Sequence, residues 1–187
     1  MRKNFGSKPY LYPIPVLIIG TYDEKQIPNA MNAAWGGISE ENQISICLSP
    51  SHKTVKNILI SKAFTVSVAT EKYVVACDYV GIASGNTEQN KIKKSGFTTT
   101  KSEFVNAPII NELPMALECK FINYNEETCT MIGEIINVSI DEVILNSNNK
   151  VDVIKLAPIT FDPINNTYIK LGEVVGNAFK DGLSLKI

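Results

Sequence analysis

The chain has 187 residues, 44% apolar and 20% charged, with a formal net charge of -1. That length supports one domain over residues 1–187 with a real core. The near-neutral balance excludes tracking along a nucleic-acid backbone, and no run reaches the roughly 18 apolar residues of a membrane span. The stretch MRKNFGSKPY has no apolar leader region, so a cytoplasmic protein is expected.

Strand signals dominate in chain order. VLIIGTY (16–22) is a continuous apolar run, as a strand covered on both faces requires. NAMNAAWGG (29–37) alternates poorly for a core strand. Its small residues Ala33 and Ala34 let a ligand approach the backbone. Trp35, the single tryptophan, serves either as a ring contact or as a core or interface filler, and Asn29 and Asn32 also suit plain turn chemistry. ISICLS (44–49) puts Ile44, Ile46 and Leu48 on one face.

SPSHKTVKNI (49–58) leads into a helix over 53–62 whose apolar face holds Val55, Ile58 and Leu59. Its N-terminus is either an anion site, with Ser51, Lys53 and Thr54 as donors, or simply a start capped by Ser51. FTVSVA (64–69) is a further strand. A helix over 71–80 is expected to stop before Gly81. Another over 87–95 is expected to start in a capping box of Asn86 and Gln89 and to close at Gly96. Its lysines, Lys91 among them, suit a solvated face unless Lys91 turns back over the barrel end.

MALECKFINY (115–124) and TCTMIGEIINVSI (128–140) predict long strands, the second with a bulge at Gly133. APITFD and NTYIKLG predict a late hairpin. The tail from Gly172 either crosses to a partner subunit or lies on the surface. The four cysteines form no CxxC pair and there is one histidine, so buried reduced thiols are expected and a metal site is not.

The architecture these elements predict is mainly β: an antiparallel barrel with a few helices at its ends. Neither GxGxxG nor GxxxxGK[ST] occurs, and strict βαβ alternation is absent. A hydrolase built on Ser51 and His52 is set aside: adjacent residues at a helix start point apart, and no GxSxG elbow is present.

The ordered set PVLIIGTYDEKQIPNAMNAAWGG, ISICLSPSHKTVKNI, FTVSVAT, GIASGNTEQNKIKKSGF, the segment 107–120 and IGEIINV resembles the flavin reductase-like, FMN-binding split-barrel family, closest to its flavoredoxin branch. The resemblance runs over about residues 9–172. It implies a homodimer of Greek-key split barrels with FMN in a cleft near the interface. It implies that Asn29, Met31, Asn32, Ala33, Ala34 and Trp35 run along the flavin, and that Ser49, Ser51, His52, Lys53 and Thr54 hold its phosphate and ribityl groups. Ser84 and Lys91 then approach from the opposite wall, Lys91 near the pyrimidine end. A flavoredoxin-type electron carrier fed by NAD(P)H or a redox protein follows. The alternatives are an NAD(P)H:flavin oxidoreductase with exchangeable flavin, or a flavin- or nucleotide-binding module without turnover. Thr128 stands where family members often carry a histidine. No catalytic side chain is assigned, because the flavin carries the chemistry.

Overall fold

A computed structural model describes residues 1–186. Strands β1 (Ile14–Pro15), β2 (Leu17–Tyr22), β3 (Pro28–Ala33), β4 (Gly36–Glu40) and β5 (Gln43–Cys47) precede helix α1 (Lys53–Ser61). Then come β6 (Ala63–Val68), α2 (Val74–Ile82), α3 (Lys91–Ser95) and the small pair β7 (Thr99–Lys101) and β8 (Pro108–Ile110). The long hairpin β9 (Met115–Asn125) and β10 (Thr130–Ile140), α4 (Val153–Leu156), β11 (Ile159–Asp162) and β12 (Thr167–Lys170) complete the order.

Seven strands form one sheet in the order β3-β2-β6-β9-β10-β5-β4, with every pairing antiparallel. Its two edges, β3 and β4, are consecutive in the chain, joined by Ala34 and Trp35. A sheet whose edges meet through two residues must curl on itself. The fold is therefore a mainly β split barrel, cut open beside Trp35.

The inner face packs Leu17, Ile19, Ile46, Phe64, Val66 and Met131, and α1 adds Val55 and Ile58 to it. On the outer face, Val16, just before β2, and Ile18 of β2 pack against Cys77 and Val80 of α2, with Phe97, Ile110 and Ile159. Cores on both faces explain why β2 is buried throughout and why its sequence shows no polar alternation.

Gly133 lies at a register shift between β9 and β10, as expected of a bulge. A Cβ there would overlap the buried Phe64 ring. Gly96 ends α3 at φ 79, and Lys62 ends α1 at φ 56.

Several expectations are corrected. PNAMNA is a strand: β3 hides its alternation because its polar side chains have partners, Asn29 on Thr54 and Asn32 on the Cys77 carbonyl, both at 3.1 Å. Helix α2 does not stop before Gly81 but runs through it to Ile82. A Cβ on Gly81 would sit 3.0 Å from the Asn32 Cβ, so this glycine allows close packing of α2 on β3. Helix α3 is shorter than expected. Asn86 caps nothing; its amide reaches across to the Ser51 carbonyl at 3.1 Å. Ser51 is not the cap of α1 either: His52 holds that position in extended backbone, with no side-chain cap bond. Only Cys77 and Cys119 are buried, whereas Cys47 is exposed and Cys129 is half-buried in a turn at φ 56. The tail from Gly172 lies exposed.

Candidate functional site

The split side of the barrel carries a groove. At one end Met31, Ala33, Ala34, Trp35, Leu48 and Phe161 enclose about 320 Å³. At the other, Asn29, Thr54, Ser84, Gly85 and Lys91 enclose about 180 Å³. Met31, His52, Gly81 and Ile82 line both volumes, so the two are one continuous surface. Strand β3 forms its floor, the head of α1 one wall, and the end of α2 with the following loop the other.

The narrow end is built for an anion. The first backbone amides of α1 have no intrahelical acceptor and carry the positive end of the helix dipole. No acidic residue occupies the first turn. The His52 Nδ1 atom is buried without a hydrogen-bond partner. Lys91 is only 4% exposed and forms no ion pair among the described residues. Burial pushes its pKa down to about 8. His52 is also shifted down, first by burial and then by the Lys91 charge. One buried ammonium, Lys91, and one imidazole with an unpartnered nitrogen, His52, thus face a small cavity whose lining holds no carboxylate, an arrangement that a dianion relieves.

Gly85 lets the far wall close in: a Cβ there would strike the Asn29 side-chain oxygen and lie 3.3 Å from the Lys53 Cβ. Asn29 itself is held by its bond to Thr54 Oγ1. Lys53 lines the cavity but turns its ammonium toward Asp23, 3.7 Å away. Ser49 and Ser51 pair with each other at 3.0 Å and line neither volume.

The wide end combines apolar side chains with the polar Asn32, Asp78 and Tyr168. Trp35 is 50% exposed, so its ring is available rather than consumed in the core. In the same volume, the Tyr168 hydroxyl donates to Asp78 Oδ1 at 2.7 Å. Burial first, and then this carboxylate, pushes the Tyr168 pKa up to about 12. Neither residue is a sequence expectation; they lie on α2 and β12, and no local pattern announces that they meet. Lys91 lines the narrow end and not the Trp35 end. Thr128 donates its backbone N–H and hydroxyl within its own turn, to Asn125 at 3.0 Å and Thr130 at 2.9 Å.

Residues 10–155 match the family described as flavin reductase like domain. Among solved structures, flavoredoxin of Desulfovibrio vulgaris (Miyazaki F) is 38% identical, with a TM-score of 0.93 over 97% of this chain and 100% of that one. Flavoredoxin from Methanosarcina acetivorans is 27% identical, with a TM-score of 0.85 over 99% and 98% of the two chains. An FMN-binding domain of a flavin reductases-like enzyme from Shewanella baltica OS155 is 19% identical, with a TM-score of 0.79 over 87% and 88%. At that identity the last likeness is one of fold.

Proposed function

The chain belongs to the flavin reductase-like domain family, and from that premise we propose that it binds FMN in the groove and is a flavoredoxin-type oxidoreductase. Electrons pass between NAD(P)H or a redox protein and an acceptor. The observation that carries this reading is the pairing of ends: the uncompensated Lys91 with the unpartnered His52 at one, and a half-exposed indole beside Met31, Ala33, Leu48 and Phe161 at the other. FMN is a ligand with a dianionic phosphate, a polar chain and a flat ring, in that order.

In this reading the α1 amides, His52, Lys91 and Ser84 hold the phosphate, and Lys53 adds charge at the rim. Asn29, fixed by Thr54, faces the ribityl chain. Met31, Ala33, Ala34 and Trp35 lie along the ring, and Asn32 stays bonded to α2 behind it. When bound, the flavin supplies the electron-transfer chemistry. The protein's part is to orient it, to exclude water with Met31, Leu48 and Phe161, and to present Tyr168 held by Asp78 at the rim. We further propose that the working unit is a homodimer.

The test is an absorbance spectrum of the purified protein, followed by anaerobic addition of NADH or NADPH. Flavin bands that persist through desalting and bleach with one nucleotide are expected. Bands that disappear on desalting, with continued reduction of added free flavin, would instead establish an exchangeable-flavin reductase. A colourless protein that takes up no added FMN would overturn the reading.

A further inference from the structure

Residues 172–186 bury no side chain on their own domain. Yet they carry Val174, Val175, Phe179, Leu183 and Leu185, with Val175 and Phe179 100% and 99% exposed. The segment is not shapeless. The Asn177 N–H donates to Asp181 Oδ2 at 2.8 Å, the Ser184 hydroxyl donates to the Asp181 carbonyl at 2.8 Å, and a short helical turn spans Asp181–Leu185. Its root is tied down: Lys170 pairs with Glu71 at 2.7 Å and the Leu171 N–H reaches the Pro158 carbonyl at 3.3 Å. Beyond that point the chain leaves the barrel. The match to the Desulfovibrio vulgaris flavoredoxin structure covers 97% of this chain, so most of this arm has a counterpart there.

A second feature is incomplete in the same sense. Of the two barrel edges, β3 is covered by α2 and α3, whereas β4 packs substantially only on β5. An open edge strand is a template for association. This one opens on Gly36 and Gly37, which place no side chain on the edge, shifts register after Ile38, and presents Ile38 at 65% exposure three residues from Trp35.

We propose that residues 172–186 form an exchange arm that packs across the free β4 edge of a second copy of this chain, over Trp35 and Ile38. This rests on the homodimer reading and names the device that holds the dimer. A second copy is the fitting occupant because each chain offers one arm and one bare edge, so a twofold exchange satisfies both. The areas agree. Each exposed side chain offers roughly 60–120 Å². Two arms and the surfaces they cover then bury on the order of 1,200–2,400 Å², the range of a stable interface. Because the arm's shape is preset by Asn177 and Asp181, little ordering is required on docking. Trp35 and Cys47 line both the groove and the edge surface, so a seated arm also covers the groove's lip.

The experiment is sedimentation velocity over a concentration series, with flavin content measured alongside, on four proteins: the full chain, a chain ending at Leu171, Phe179→Asp, and Ile38→Asp. Both substituted side chains are exposed, and circular dichroism is expected to match the full chain. The full chain should sediment as twice its 20.6 kDa mass. The truncated chain should sediment as a monomer, and each substitution should raise the dimer dissociation constant at least tenfold. A dimer that survives truncation unchanged would overturn the arm while leaving the homodimer and the flavin reading intact. An unaltered Ile38→Asp dimer would overturn the β4 landing face. A full chain that is monomeric throughout would overturn arm and dimer together, and bound flavin would still stand on its own.

Discussion

Replacing Lys91 by methionine should make the flavin-free protein more stable and its cofactor binding worse. A lysine whose pKa falls from its ordinary 10.5 to about 8 carries up to about 3 kcal/mol of unfavourable charge burial at neutral pH. Methionine keeps an unbranched apolar side chain in the same space and removes that cost. We expect a gain of about 1–3 kcal/mol at pH 7, or about 2–4 °C in melting temperature per kcal/mol for a chain of this size. The pH dependence has a defined sign. Because the folded pKa lies below the unfolded one, between about 8 and 10.5 the unfolded lysine keeps its proton while the folded one has lost it, so stability of the native sequence rises with pH in that window. The advantage of the variant must shrink there. Urea melts of flavin-free native and Lys91→Met protein at pH 7 and pH 10 read both effects. FMN affinity should fall about 10- to 100-fold, the size of a lost charge-assisted hydrogen bond, while riboflavin, which has no phosphate, should bind both alike. A variant that is less stable at pH 7, or a stability gap that does not change with pH, would refute the argument that Lys91 is a buried charge awaiting an anion.

Further outcomes follow from neighbouring residues. The His52 pKa is lowered below its ordinary 6.5, so His52 gains charge only as pH falls beneath that value. The FMN affinity of native protein relative to His52→Ala should therefore rise below pH 6.5 and be flat above it, as fluorescence titration from pH 5 to 8 will show; equal profiles would count against a phosphate contact. Gly85→Ala should weaken FMN binding at least tenfold with little change in melting, because the new Cβ strikes Asn29 rather than the core; unchanged affinity would remove Asn29 and Gly85 from the site. Gly133→Ala should cost about 1–3 kcal/mol in urea denaturation by overpacking against Phe64, and an unmoved midpoint would contradict the packing at the bulge. Burial pushes the Cys77 and Cys119 thiols up to about 12, so a thiol reagent at pH 8 should label exposed Cys47 and leave those two unmodified until the protein unfolds.

Much of the barrel was legible along the chain because side-chain period reports which faces are buried. The apolar run of β2 announced cores on both faces, the alternation of Ile44, Ile46 and Leu48 announced one, and Gly133 and Gly96 marked a bulge and a helix end. The site was legible where its parts are local. Asn29 to Trp35 form one strand and its exit, and residues 52–54 form one helix start, so each piece could be picked out along the chain, while the expectation that they share one site came from the family resemblance.

What tertiary structure decided is everything that depends on what arrives from across the fold. The sequence KIKKS suits a solvated face, yet Lys91 is buried and the next lysines are not, because the first turn of α3, Lys91 with Ile92, meets the wall formed by α2 and β3 while Lys93 and Lys94 face outward. Gly81 looked like a stop and is a point of close packing on Asn32. Ser51 looked like a cap and is turned to Ser49. Asp78 and Tyr168 stand ninety positions apart, brought together by the register of β12 and the packing of α2 on the outer face. Local pattern encodes burial and backbone conformation. Which partner meets a buried face, and which charge is left unanswered, is set by the curl of the sheet that brings β3 and β4 back beside each other.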